Sequence, residues 1–136
     1  MYTEILNDHH KDIFAKLRIL HQYETAASAE LHAEEVSSTI ARLAGLISVH
    51  LAAEDKFLYP NLAKSEDETV RTTAQRFEQE MGGLASAFKS FADSYNTAGK
   101  IKKDVHAYLD AEKQTIEALE NRLAKEEKEL YPLIRE

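Results

Sequence analysis

The chain has 136 residues, 43% of them hydrophobic and 30% charged, the composition of one soluble globular domain, expected to span residues 1–136. Its formal net charge of −7, from 24 acidic against 17 basic side chains, excludes the clustered basic face of a nucleic-acid binder. No uninterrupted run approaches the roughly 18 apolar residues of a membrane span. The first residues lack a secretory pattern and there is no cysteine, so the expectation is a cytoplasmic protein without membrane or nucleic-acid partners.

Four glycines and two prolines against abundant Ala, Leu, Glu and Lys favour long helices. Leu6, His10, Ile13, Leu17 and Leu20, in steps of three and four, predict a helix from about Thr3 to Glu24. Val36, Ile40, Leu43, Ile47, His50, Glu54 and Phe57 draw a second stripe on a helix from about Ser28 to Leu62, with Pro60 in its last turn. Ser65 and Glu68 have capping-box spacing and predict the start of a third helix, whose stripe is Phe77, Met81, Leu84, Phe88, Phe91 and Tyr95. Gly99 predicts its left-handed stop. A fourth helix from about Lys100 to Tyr131 carries Val105, Leu109, Glu112, Ile116, Leu119 and Leu123, and Pro132 ends it. Four amphipathic helices with short connections predict an all-α, up-down-up-down antiparallel four-helix bundle.

The helices also repeat in pairs, as an internal duplication would leave them. "HLAAEDKFLYPNL" at 50–62 and "RLAKEEKELYPLI" at 122–134 agree at seven of thirteen positions. Offset by 71 residues, His10, Ile13, Leu17 and Leu20 fall on Met81, Leu84, Phe88 and Phe91; one inserted residue then brings His50 onto Arg122 and Glu54 onto Glu126.

Residues four apart on a helix share a face, so His50 and Glu54 project together from the apolar stripe. Buried polar groups cost free energy unless satisfied, and one metal ion satisfies both; imidazole and carboxylate suit iron, zinc or manganese. His10 can approach from the first helix, and Glu126, the equal of Glu54, from the fourth. His21 lies about three turns from His10, too far to share its metal unless an ion binds near the bundle end. His32 and His106, near helix starts, read as surface or end-packing residues, and Tyr59 and Tyr131 as packing residues that fix the helix ends, although a tyrosine near a metal can also hydrogen-bond a ligand.

"DHHKDIF" and "HLAAEDKFLYP" are similar to the first-helix His motif and the second-helix HxxxE motif of the hemerythrin-like, or HHE cation-binding, family, and the resemblance covers essentially the whole chain. It implies a four-helix bundle holding two irons, with histidines from all four helices and two bridging carboxylates. Carried over, it makes His10, His50, Glu54 and Glu126 metal ligands, with His9 as the substitute if the helix phase is off by one. Two positions depart from the pattern. The third helix has Met81 where a histidine is expected, a poor ligand for hard iron. The fourth has Arg122, which stays charged and offers no lone pair. One iron or similar divalent ion per chain is therefore expected, with the Arg122 guanidinium bonded to the two carboxylates in place of the second.

Three functional readings follow. The first is a cation-binding protein for sensing, sequestration or redox-linked signalling. The alternative is a metal-free bundle that serves as an interaction module, as a homodimer through exposed helix faces. The third, an enzyme activating oxygen or peroxide at a mononuclear or di-iron centre, has no further support, since no other residue names a substrate.

Overall fold

In a computed structural model, which describes residues 2–135, the first stripe lies along one side of α1 (Tyr2–His21) with all five of its members buried. The predicted second helix is three pieces. A capping box, in which Thr25 Oγ1 accepts from the Ser28 amide and Ser28 Oγ from the Thr25 amide, starts α2 (Ala26–Leu31) two residues before Ser28. His32 breaks the helix and stacks on Tyr23, ring centroids 4.5 Å apart, before α3 (Ala33–Ala53) begins. A π-helical turn, Glu54–Leu58, then joins α3 to α4 (Tyr59–Ala63).

That turn corrects one member of the predicted stripe. Its hydrogen bonds run to the fifth residue, which holds one residue more than an α turn and shifts the phase. Leu58, 2% exposed, takes the inward position, and Phe57, 40% exposed, lies outside on Tyr2 with ring centroids 5.1 Å apart. Pro60 does not end the helix at once, because its missing amide falls where the ladder is already displaced.

The third helix, α5 (Glu68–Tyr95), is capped by Asp67 rather than Ser65: the Thr69 amide donates to Asp67 Oδ1 at 2.9 Å, while Ser65 Oγ accepts from the Asp67 amide. A carboxylate one residue from the helix is both acceptor and favourable charge at its N-terminus. Gly99 is not its stop. No residue among those described has positive φ, α5 ends at Asn96, and Thr97 caps a new short helix, α6 (Ala98–Lys103), that contains Gly99. Asp104 then breaks and caps again, accepting from the Ala107 amide at 3.0 Å, to start α7 (Val105–Lys125). A second π turn, Glu126–Leu130, leads into a 3₁₀ turn, Tyr131–Leu133, after which Ile134 is extended.

The four long helices close a ring: α1 packs on α3, α3 on α5, α5 on α7, and α7 on α1. Tyr23 at the end of α1 donates to Glu35 at the start of α3 at 2.8 Å, while Tyr2 meets Phe57, so these helices run antiparallel. Phe91 and Tyr95 pack on Tyr108 while Phe77 meets Arg122, so α5 and α7 do too. By length and average apolarity Ala33–Ala63 reaches what a membrane span needs, although no unbroken apolar run predicts it. Its apolar side, Val36, Ile40, Leu43 and Ile47, lies within the bundle core.

The core is divided in two. Ile13, Leu17, Ile47, Phe88 and Leu123 belong to a large apolar cluster, and Leu6, Leu58, Leu62, Phe77 and Leu130 to a smaller one. Between them in every long helix comes a polar or weakly liganding residue: His10, then His50 and Glu54, then Met81, then Arg122 and Glu126, all buried. The π-turn register is checked by two truncations. Leu58→Ala is expected to cost roughly 2–4 kcal/mol in denaturant unfolding and Phe57→Ala less than about 1 kcal/mol, whereas an unbroken α-helix, which turns both residues toward the core, predicts a large loss for each.

Candidate metal centre

The polar layer draws on three segments. His10 comes from the third turn of α1 and His50 from the last turn of α3; Glu54 opens the first π turn and Glu126 the second. Tyr131 follows the second π turn, five residues beyond Glu126. On an α-helix a residue five along points well away from the first; in a π turn, with its bonds from i to i+5, it stacks over it. The Tyr131 amide accordingly bonds to the Glu126 carbonyl, and its hydroxyl enters the layer. His10, Glu54 and Glu126 are 0% exposed and His50 is 1% exposed.

Four of these side chains form a cage. His10 Nε2 lies 2.9 Å from Glu126 Oε1 and 3.2 Å from His50 Nε2, and His50 Nε2 is 3.2 Å from Glu126 Oε1. The Tyr131 hydroxyl is 2.9 Å from His10 Nε2 and 3.2 Å from both His50 Nε2 and Glu126 Oε1. All six edges of this tetrahedron thus run from 2.9 to 3.2 Å. A point equidistant from the four corners would lie about 1.9 Å from each, against bonds of about 2.0–2.2 Å for nitrogen and oxygen ligands on a small divalent ion, so the cage fits one ion after opening by a few tenths of an ångström. Glu54 stands beside it: Oε2 accepts from the Tyr131 hydroxyl at 2.9 Å and lies 3.2 Å from His50 Nε2.

Each imidazole is held from behind. His10 Nδ1 is 3.0 Å from Glu127 Oε1, and His50 Nδ1 is 3.2 Å from His9 Nδ1. Such outer partners fix the tautomer, so that Nε2 can present its lone pair inward. Burial and the neighbouring His50 lower the His9 pKa, which favours the neutral ring that can accept the His50 proton. His9 is therefore a support for His50 and not a member of the cage. Glu54 Oε1 and Glu126 Oε2 are buried without a hydrogen-bond partner, an orphaned pair that a cation would stabilise.

Over residues 1–134 the sequence matches the hemerythrin HHE cation binding domain. The chain belongs to this family. Comparison with curated proteins and with solved structures returns no significant match. Of the residues that the sequence pattern nominates, the fold brings His10, His50 and Glu126 together as a group able to hold an ion, with Glu54 at its edge. From the sequence Tyr131 is a packing residue or a hydrogen-bond partner of a ligand; the π turn brings its hydroxyl into the cage itself.

The second ion that the resemblance implies has no comparable cage among the described residues. Met81 occupies the layer on α5, 4% exposed, and supplies only a thioether. Arg122 is buried, but its fork is not bonded to the two central carboxylates. One terminal nitrogen donates to Glu80 Oε2 at 3.2 Å and the other to the Phe77 carbonyl, with the guanidinium 4.4 Å over the Phe77 ring. Only Nε approaches Glu126 Oε2, at 3.6 Å, too far for a good hydrogen bond. The expected exchange of a second metal for a bidentate arginine is thus corrected: α5 offers Glu80 and a carbonyl within reach, and these anchor the fork, leaving only its charge beside Glu126. Tyr59, five residues after Glu54, is the counterpart of Tyr131; its hydroxyl is buried without a partner, and the charges of Glu54, Glu126 and Arg122 act on it.

The electrostatics of the HHE layer are asymmetric. Burial raises Glu54 above the usual carboxylate range, and the Glu126 charge adds to this. Burial acts the same way on Glu126, but hydrogen bonds from His10 and His50 outweigh it and hold the group down at about 2. Burial pulls His50 down, yet the Glu126 and Glu54 carboxylates raise it to about 9. Burial and the same two carboxylates raise the Tyr131 phenol, so in the protein alone it keeps its proton. In metal-free protein the raised His50 pKa contributes stability that is complete below pH 6.5 and is lost as pH rises through 9; the lowered Glu126 pKa contributes stability complete above pH 4.5 and lost as pH falls through 2. The His50 contribution, read in chelator as the stability difference between the unmodified chain and His50→Gln, should therefore be largest below pH 6.5 and fall by on the order of 1–3 kcal/mol by pH 9.

Proposed function

We propose that this chain is a mononuclear iron-binding protein of the HHE family, in which His10, His50, Glu126 and Tyr131 hold one ion and Glu54 completes the set. The observation that carries the reading is the cage of four ligand-type atoms with edges of 2.9–3.2 Å, backed by two orphaned carboxylate oxygens. A hydroxyl has one proton and two lone pairs, too few for four polar neighbours, so the Tyr131 phenol cannot satisfy the layer alone. The Glu126 carboxylate and a phenolate favour a hard, highly charged ion, which selects iron in its ferric state over softer alternatives.

When bound, the ion supplies a Lewis-acidic, one-electron redox centre. The chain's own residues bury it, exclude water, hold the two imidazoles in fixed tautomers, and take up the phenol proton at Glu54. Complete burial and occupation by protein groups favour sensing, sequestration or redox-linked signalling over reversible oxygen carriage or turnover. The role is thus proposed as non-enzymatic and cytoplasmic, in a chain that arose by duplication of a helix pair.

The approach of His50 Nε2 to Glu54 Oε2 and Glu126 Oε1, both at 3.2 Å, favours a second reading, in which a protonated His50 closes the layer with no metal and leaves an interaction module. Elemental analysis of protein purified without a histidine tag separates the two. One iron per chain is expected, with a visible phenolate-to-iron(III) absorption band that Tyr131→Phe abolishes; two metals per chain, or none after growth in iron-rich medium, overturns the proposal. Arg122→His alone should still bind one ion, whereas Met81→His combined with Arg122→His is expected to bind two.

A further inference from the structure

A second set of metal-ligating side chains lies at the opposite end of the bundle. His21 is 11 residues beyond His10 on α1, about 16 Å along the axis. It meets Glu24 from the turn that follows, and Glu112 and Glu120, about two turns apart on α7. Ligand atoms of His21, Glu24 and Glu112 all lie within 4.8 Å of one another. His21 Nδ1 is 3.1 Å from Glu24 Oε1, and Nε2 is 3.0 Å from Glu120 Oε1.

An exposed acidic cluster around a histidine is by itself ordinary, because a protonated imidazole serves two carboxylates. Glu112 makes the difference. It belongs to the inward stripe of α7 with Tyr108, Ile116 and Leu119, is 3% exposed, and its Oε1 is buried with no hydrogen-bond partner. Protonating His21 satisfies Glu24 and Glu120 through its two nitrogens and leaves this third carboxylate uncompensated. Burial, with the Glu24 charge next, pushes Glu112 up to about 7, as expected of a carboxylate that lacks a cation. The groups line one recess with Ile116, a further acid, Glu117, and one basic residue, Lys113, which makes no hydrogen bond to Glu112 Oε1.

We propose that His21, Glu24 and Glu112 form a separate divalent-cation site at this end of the bundle, with Glu120 orienting the imidazole. Nε2–H donates to Glu120, so Nδ1 presents its lone pair to the ion beside the Glu24 and Glu112 oxygens, the carboxylate–histidine–metal arrangement of biological zinc sites. Water completes the coordination on the open side, where the side chains of His21 and Glu24 are 40% and 52% exposed. An ion here exchanges with solvent, unlike one sealed in the His50 cage.

The test is a Zn²⁺ titration of the chelated, untagged full chain, followed by amide NMR. The expected result is a saturable shift of the Tyr23, Glu24 and Lys113 amides. That response should weaken at least about tenfold in Glu112→Gln and in Glu24→Gln, the latter outside the core, and persist in His50→Ala. The proposal is overturned if these amides do not move up to about 1 mM Zn²⁺, if both glutamine variants titrate like the unmodified chain, or if His50→Ala abolishes the response.

Discussion

His10, His50, Glu54, Glu126 and Tyr131 are buried in one layer across the bundle, and the need to satisfy them shapes everything around it. A buried polar group without a partner costs about 1–3 kcal/mol, and a buried charge more. The layer therefore cannot be a tolerated impurity in an apolar core. It divides that core into two clusters, each sealed from water, so that the low dielectric strengthens every contact inside the layer and raises the penalty for each unmade one. Tyr131 touches four groups but has one proton to give; two carboxylate oxygens accept no hydrogen bond, and only the Arg122 charge, 3.6 Å from Glu126 Oε2, stands near one of them. The imbalance is one of positive charge, which is what a bound ion supplies.

The two π turns solve a problem of reach. A regular α-helix that places Glu126 inward sends Tyr131 outward, and one that places Glu54 inward turns Phe57 inside together with Leu58. Widening one turn admits the extra residue and brings carboxylate and tyrosine onto the same face. Pro60 and Pro132, each two residues beyond a π turn, have no amide to give to a regular ladder, so the departure from α geometry sacrifices little there. The short helices α2 and α6 have a parallel role at the far end, where His32 and Asp104 break helices that periodicity alone would run straight through.

The repeated halves are alike in backbone and unlike in chemistry. Both carry a π turn that opens with a buried glutamate and is followed by a tyrosine. In one half the tyrosine meets two imidazoles; in the other its counterpart Tyr59 faces the surroundings of Arg122, whose fork is turned to α5. A guanidinium is a permanent cation with only donors, so it repels an ion from the place where a histidine would attract one. Met81 removes the other nitrogen ligand. The same backbone thus presents one half that can hold an ion and one that carries a fixed charge instead.

The helix stripes were legible because burial of one face imposes its period on the sequence; Leu6, His10, Ile13, Leu17 and Leu20 lie where that period puts them. The HHE pattern likewise nominated His10, His50, Glu54 and Glu126, since a polar residue on an apolar stripe is visible without coordinates. What the sequence did not disclose were contacts set by phase and by competition between partners. Tyr131 enters the layer only because a π turn shifts its direction, and His9 backs His50 only because α1 and α3 cross at that level. The Arg122 fork chose Glu80 and the Phe77 carbonyl over Glu126, a choice between acceptors on α5 and one on its own helix that no spacing along one helix encodes. By itself the sequence determined which residues turn inward and that two of the expected nitrogen ligands are missing; the tertiary structure alone decided which inward groups meet, because that depends on ångström-scale distances between helices far apart in the chain.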